Sequence, residues 1–348
     1  MDFINETNES SVTLKSIFIS YGKTEALRGV SFHAPQGEIT ALFGPSGAGK
    51  TTCLRLIAGL EKPSAGTIHI GTRLVSAENV WIPPRRRGVG FCFQEPALWP
   101  ALRVREHVEL PMRENGLHAD ERRKQAAALL DRFSLLPLAE RKPEQLSGGE
   151  QKRLAFARTL ANDPKILLLD EPLSSVEGPL RDELIDLIHS CKRNGTVILI
   201  VTHQLDEAFA LADHLAILQE GRLLREGATQ EVFLNPQSIA AAKLLGYRNF
   251  FPVHAKEDGI HSPFGMWVCA EKRQGEGLAA ALPGDFIVER CEEGEGVVQA
   301  CWFSGRGYRI RAAMGDRLVE GISSTTLPVG ERVKVRLQGA PIWLEGKE

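Results

Sequence analysis

The stretch Glu38-Ile-Thr-Ala-Leu-Phe43-Gly44-Pro45-Ser46-Gly47-Ala48-Gly49-Lys50-Thr51-Thr52 decides the reading of this chain. Its first six residues are an apolar strand, its middle is a glycine loop, and Lys50–Leu60 reads as a helix. The loop fits G-x-x-x-x-G-K-[ST] in the strand-loop-helix setting that pattern requires. Glycines let the backbone wrap phosphate oxygens and aim N–H groups inward, and the helix start adds the positive end of its dipole. Gly44, Pro45, Ser46, Gly47, Ala48, Gly49, Lys50, Thr51 and Thr52 are therefore the expected nucleotide-binding residues. Lys50 is expected on the β- and γ-phosphates and Thr51 on Mg²⁺. A bare glycine turn is the bland alternative, and the setting argues against it.

Working outward, Ile166-Leu-Leu-Leu-Asp170-Glu171 is a second apolar strand that ends in two carboxylates. Open α/β sheets bind ligands at such strand tips. Asp170 can hold the Mg²⁺ shell, and Glu171 can polarise an attacking water as general base. Further strand-plus-helix units follow: the helix Pro179–Arg193, the strand Val197–Thr202, the helix Leu205–Ala212 and the strand Leu215–Gln219. Upstream lie the strands Val12–Ser20 and Gly29–His33. Residues 63–93 read as β-hairpins beside the main sheet, and residues 104–140 as helical. Buried strands alternating with helices indicate a mostly parallel sheet covered on both faces.

Leu146-Ser147-Gly148-Gly149-Glu150-Gln151 has two readings. Ser147 and Glu150 make a capping box for the helix that runs to about Ala161. The two glycines also bare that helix N-terminus to a phosphate. Here the chain resembles the ABC ATPase family, whose signature is this Leu-Ser-Gly-Gly-Gln/Glu run. The resemblance covers about residues 12–235 and implies roles for further residues. Tyr21 would stack on adenine. Gln94, in Phe93-Gln94-Glu95, would touch Mg²⁺ and the nucleophilic water. His203, after Thr202, would hold the γ-phosphate. Ser147, Gly148, Gly149 and Glu150 of one subunit would close over ATP held by the P-loop of the other, which makes the working unit a homodimer. One departure stands out: where relatives run to Ser-x-Leu-Asp after Glu171-Pro172, this chain has Ser174-Ser175-Val176-Glu177.

After about Pro236 the texture changes to a helix-like stretch, Ser238–Leu245, and then short glycine-punctuated strands. Gly296–Phe303, Tyr308–Ala312, Arg332–Leu337 and Pro341–Leu344 suggest a small barrel. The boundary is expected near residue 237. It separates an ATPase domain (1–236), an α/β P-loop NTPase core with helical and antiparallel β subdomains, from an OB-like domain (237–348). Gly246-Tyr-Arg-Asn-Phe-Phe251 and Val329-Gly-Glu-Arg-Val-Lys-Val335 resemble the TOBE barrel of the maltose, sulfate, molybdate, polyamine and ferric-iron importer ATPases. Pro283-Gly-Asp285 departs from the Arg-Pro-Glu common there. The resemblance implies a regulatory or dimerisation role for this domain.

Composition bounds the alternatives. The 348 residues are 43% hydrophobic and 25% charged, with a net charge of −2, so there is no bulk electrostatic case for nucleic acid. The barrel region also lacks a basic stripe interleaved with aromatics. Six scattered cysteines and nine histidines show no metal-ligand spacing. No apolar run reaches bilayer length, and the polar N-terminus lacks signal-peptide features. The expectation is an ATPase that binds ATP and Mg²⁺ on the cytoplasmic face of the membrane. Its expected partners are integral permease subunits and, indirectly, an extracytoplasmic solute-binding protein. Pro83-Pro-Arg-Arg-Arg-Gly-Val-Gly90 and Pro96-Ala-Leu-Trp-Pro-Ala-Leu102 most resemble the inorganic-ion members, ferric iron ahead of molybdate or sulfate. Polyamine or sugar import, or a non-transport ABC ATPase, are the alternatives. Non-transport members generally carry a second core or a long coiled-coil insertion, and neither is visible here.

Overall fold

A computed structural model of the chain describes residues 11–344 apart from 175, 177, 193–194, 258 and 268–273. The chain divides into two units, one ending at Thr229 and the other starting at Gln230. The first unit opens with the hairpin β1 (Val12–Tyr21) and β2 (Thr24–Ala34), followed by β3 (Ile39–Phe43), the glycine loop and α1 (Lys50–Ala58). β4 (Ala65–Ile70), β5 (Arg73–Ala77) and β6 (Val80–Trp81) extend the hairpin into an antiparallel sheet of order β2-β1-β4-β5-β6. Next come β7 (Val89–Cys92), the helices α2 (Val104–Glu114), α3 (Ala119–Arg132) and α4 (Gly148–Leu160), then β8 (Ile166–Asp170) and α5 (Pro179–Lys192). β9 (Val197–Thr202), α6 (Leu205–Leu211), β10 (His214–Gln219) and β11 (Arg222–Ala228) complete the unit.

The main sheet runs β11-β10-β3-β9-β8-β7, parallel except for the β10–β11 hairpin. Every residue of β3, β8 and β9 is buried, as expected for strands covered on both faces. α1 packs under β7, β8 and β9. Leu54, Leu56 and Ile57 there join Leu42, Leu168, Leu199 and Val201 in one core. Each such side chain contributes about 1.5–3 kcal/mol on burial. The helical segment α2–α3–α4 packs on itself, and α4 also lies against β7. Residues 63–93 differ from expectation at one point. β4–β6 form the hairpins, but Val89–Cys92 pairs in parallel with β8 and edges the main sheet. Four residues are too few for their periodicity to reveal a parallel partner.

The second unit contains α7 (Thr229–Leu234), which straddles the division, and α8 (Ile239–Leu244). An antiparallel sheet of order β14-β13-β12-β15-β21 is built from β12 (Asn249–Lys256), β13 (Gly259–Ser262), β14 (Gly265–Trp267), β15 (Gly275–Ala281) and, far along the chain, β21 (Ile342–Leu344). Between them β16 (Phe286–Arg290), β17 (Gly296–Phe303), β18 (Tyr308–Met314), β19 (Arg317–Ser323) and β20 (Arg332–Leu337) close an OB-like five-stranded barrel. Its interior is Val288, Val298, Ile310 and Val333. The segment at 341–344, expected in the barrel, leaves it and pairs with β15, where Leu344 is buried. Gly339-Ala340-Pro341 makes the exit, since Pro341 cannot donate a ladder hydrogen bond. Among the described residues no helix is long and apolar enough to cross a membrane.

Candidate functional site

The glycine loop is shaped by contacts that only glycine permits. A Cβ on Gly44 would lie 2.0 Å from the Leu218 carbonyl oxygen, so the loop seats directly on β10. A Cβ on Gly49 would come within 2.8 Å of the Ala26 carbonyl oxygen, and its φ of 96° already disfavours a side chain. Gly49 is the N-cap of α1 and offers no side chain to its first turn. The orphan N–H groups of that turn are thus left without a side-chain cap, an arrangement suited to an anion.

Lys50 is buried, and its Nζ donates to the carbonyl oxygens of Gly44 and Pro45, both at 2.8 Å. Burial holds its ammonium below the ordinary lysine range, opposed by the charges of Glu171 and Asp170. The Thr51 hydroxyl donates to Asp170 Oδ1 at 3.0 Å. Asp170 is buried at the end of β8, and this desolvation raises its carboxyl above the usual range. The neighbouring Cys53 thiol is pushed up to about 12 by burial, so it is inert. Tyr21, Ala26, Ser46–Thr52 and Glu171 line one cleft.

An ionised carboxylate that is buried with one hydroxyl donor costs stability. Asp170→Asn keeps an oxygen for Thr51 and removes that charge. Its melting temperature without nucleotide should rise by about 2–4 °C, measured by calorimetry in chelator, while ATPase activity is lost. A fall in melting temperature would show that the carboxylate charge is satisfied where it stands.

Glu171 is turned out of β8 by a left-handed backbone, φ 49°, unusual for a side-chain-bearing residue. Its N–H still donates to the Val201 carbonyl oxygen at 3.0 Å, which anchors the turn to β9. Each carboxylate oxygen has a partner: Gln94 Nε2 donates to Oε2 at 2.8 Å, and His203 Nδ1 lies 3.0 Å from Oε1. Gln94 follows β7 and His203 follows β9, so neighbouring strand ends converge on the strand end that carries the acid.

Two residues that sequence reasoning missed fix the His203 loop. The Thr202 hydroxyl donates to the buried carboxylate of Glu207 at 2.6 Å and accepts from the Gln204 N–H at 3.0 Å. An acid in the first turn of α6 reads as an ordinary helix-start residue, so nothing marked it.

The structure therefore brings the glycine loop, Asp170 and Glu171 together, with Gln94 and His203 bonded to Glu171 and Tyr21 at the margin. The signature run is elsewhere in the described chain and does not line this cleft. Ser147 caps α4: its N–H donates to Glu150 Oε2 at 2.7 Å, and its hydroxyl accepts from the Glu150 N–H at 3.3 Å. The Ser147 N–H bond is the main cause holding the Glu150 carboxyl below its usual range. Around Gly148 a Cβ would meet nothing within 4 Å, so no described part of the chain crowds the Cβ side of this residue. Ser175 and Glu177 lie outside the described residues.

The profile of the ABC transporter family matches residues 27–174. An Fe(3+) ions import ATP-binding protein of Rhodococcus jostii is 36% identical over 338 residues, 93% of this chain and 95% of that protein. A spermidine/putrescine import ATP-binding protein of Trichodesmium erythraeum is 38% identical over 249 residues, 71% of this chain and 64% of its own length. Among solved structures, a dimeric post-hydrolysis ATP-binding cassette bound to ADP and Pi is 32% identical, with a TM-score of 0.57. It matches 62% of this chain and 98% of its own. This likeness, the P-loop geometry and the acid-tipped β8 agree: the chain belongs to the ATP-binding subunits of ABC importers and is an ATPase.

Proposed function

We propose that this protein is the motor of a ferric-iron importer, working as a homodimer on the cytoplasmic face of the membrane beneath integral permease subunits. The observation that carries the cargo is the extent of likeness. Relatives named for Fe(3+) import match over nine-tenths of both chains, through the barrel unit as well as the ATPase unit. The polyamine-named relative matches only about seven-tenths of this chain. A separate solute-binding protein would present the iron to the permease.

Within the site, Lys50 and the α1 N–H groups bind the β- and γ-phosphates, and Tyr21 carries the adenine. Thr51, Asp170 and Gln94 are hard oxygen donors of the kind Mg²⁺ takes alongside phosphate oxygens, so the residues fit that ion. Bound there, Mg²⁺ would neutralise charge on the β- and γ-oxygens. Glu171 accepts the proton of the attacking water. Gln94 and His203 hold its carboxylate plane, and His203 turns to the γ-phosphate when nucleotide is present. The Ser147–Gly149 edge, which does not line the cleft of its own chain, closes on the ATP of the second copy. The first 236 residues form the ATPase domain in this reading, and the rest a regulatory or dimerisation domain.

Deleting the gene should abolish uptake of radiolabelled Fe(III) and leave spermidine uptake intact. Restoration by the parent chain but not by Lys50→Ala would tie the loss to ATP use. Loss of spermidine uptake instead would move the protein to the polyamine importers.

A further inference from the structure

We propose that Glu61 is a positioning residue for nucleobase recognition, holding the Tyr21 ring at the mouth of the phosphate cleft by a hydrogen bond to its hydroxyl. The proposal rests on the reading of Tyr21 as the adenine platform. Tyr21 ends β1 beside a glycine turn and is 49% exposed, yet it lines the same cleft as the glycine loop. An exposed ring tied only through its backbone would sample several rotamers, and stacking would have to select one. Here the Tyr21 hydroxyl donates to Glu61 Oε2, and Arg55 Nη1 lies 3.5 Å from Glu61 Oε1. Most of the Glu61 side chain is covered, and its burial raises the carboxyl above its usual range.

Glu61 is itself held in place by the end of α1. The helix stops at Gly59, φ 80°, whose N–H donates to the Leu56 carbonyl oxygen at 3.1 Å, and Leu60 N–H donates to the Arg55 carbonyl oxygen at 2.9 Å. This glycine stop satisfies the last carbonyls of the helix. Arg87 completes it. Its buried guanidinium donates to the carbonyl oxygens of Leu56 and Ile57 at 2.8 and 2.9 Å, and to those of Ile82 and Val75. A Cβ on Gly59 would lie 2.5 Å from Arg87 Nε. Burial lowers this guanidinium to about 10, a cost that four carbonyl partners offset. The helix that starts in the phosphate cradle therefore ends, nine residues on, at the support of the base platform. At about 1.5 Å per residue, α1 sets the distance from the phosphate cradle to the turn that carries Glu61.

The test uses the full-length protein, with equilibrium binding of ATP and of inorganic triphosphate, which has no base, and steady-state kinetics. Tyr21→Phe removes only the hydroxyl and keeps the ring of a half-exposed residue, so of the variants it disturbs the fold least. Tyr21→Phe and Glu61→Ala should each weaken ATP about three- to tenfold and leave triphosphate unchanged. The loss should appear in KM, with kcat shifting less than about twofold. The double variant should be no weaker than either single one, since both remove one bond. Glu61→Gln, which keeps an acceptor, should bind ATP like the parent. Tyr21→Ala, which removes the platform, should cost about 5–100-fold. Parent-like ATP binding by Glu61→Ala and Tyr21→Phe, with weak binding by Tyr21→Ala, overturns the latch and leaves the platform. Parent-like binding by Tyr21→Ala overturns both. An equal loss of triphosphate in Glu61→Ala would make Glu61 a support of the fold and overturn the proposal.

Discussion

Glu171→Gln is expected to lower the rate of ATP hydrolysis about 10²–10⁴-fold, the value of a positioned general base, while ATP stays bound. The geometry explains why the exchange should be so selective. The carboxylate is shared between Gln94 Nε2 and His203 Nδ1, one oxygen each. A glutamine can keep one acceptor, and the Gln94 amide can rotate to offer its oxygen to the new NH₂ group. The left-handed backbone and its bond to Val201 are untouched. What disappears is the ability to take a proton. If the Ser147–Gly149 edge closes over a neighbour's nucleotide, the stalled protein should accumulate as an ATP-bound dimer. Light scattering with ATP would then give twice the chain mass of 38.3 kDa. A variant that hydrolyses ATP at close to the parent rate would place the base on another group. A slow but monomeric variant would count against the two-chain site.

Much of this site was legible because its elements are local. The strand, glycine loop and helix from Ile39 to Ala58 are contiguous, and Asp170 and Glu171 close an unmistakably buried strand. The capping box at Ser147 was also readable from spacing, and the structure keeps it. What escaped the sequence was long-range and polar. Gln94 reaches Glu171 across 77 residues, and only the resemblance pointed to it. Arg87 stands last in an Arg85-Arg86-Arg87 run in which nothing local sets one arginine apart, yet it alone of the three is buried, under the end of α1. Glu61 and Glu207 look like ordinary surface acids until the fold delivers Tyr21 and Thr202 to them. In the second unit the short glycine-punctuated strands showed their texture but not their partners. β15 and β21 pair across more than sixty positions of barrel sequence, a register no local periodicity encodes.

Lys50→Ala should lose both ATP affinity and turnover, and the reason lies in what the ammonium touches without nucleotide. Its Nζ is folded back onto the Gly44 and Pro45 carbonyl oxygens, buried and partly desolvated. Such a cation is already stripped of much of its water, so transfer to phosphate oxygens requires little further desolvation. In a dry site a preorganised charge is worth far more than in water, and losing one such contact costs about 10²–10³-fold in rate. ATP affinity should fall about tenfold or more, the scale of one charge-assisted hydrogen bond. Stability should barely move, because two opposing changes accompany the truncation. Removing the lysine relieves a buried charge, whose lowered pKa reports that cost, but it leaves two carbonyl oxygens with one fewer donor. Calorimetry of the nucleotide-free variant should therefore match the parent within about 2 °C, while titration with ATP shows the weakened affinity. Lys50→Arg should not rescue it. The planar guanidinium is larger than the ammonium and cannot sit between two carbonyl oxygens in so tight a loop. ATP hydrolysis by Lys50→Ala within about tenfold of the parent would mean that the glycine loop is not the phosphate site, since no positioned cation could be lost so cheaply.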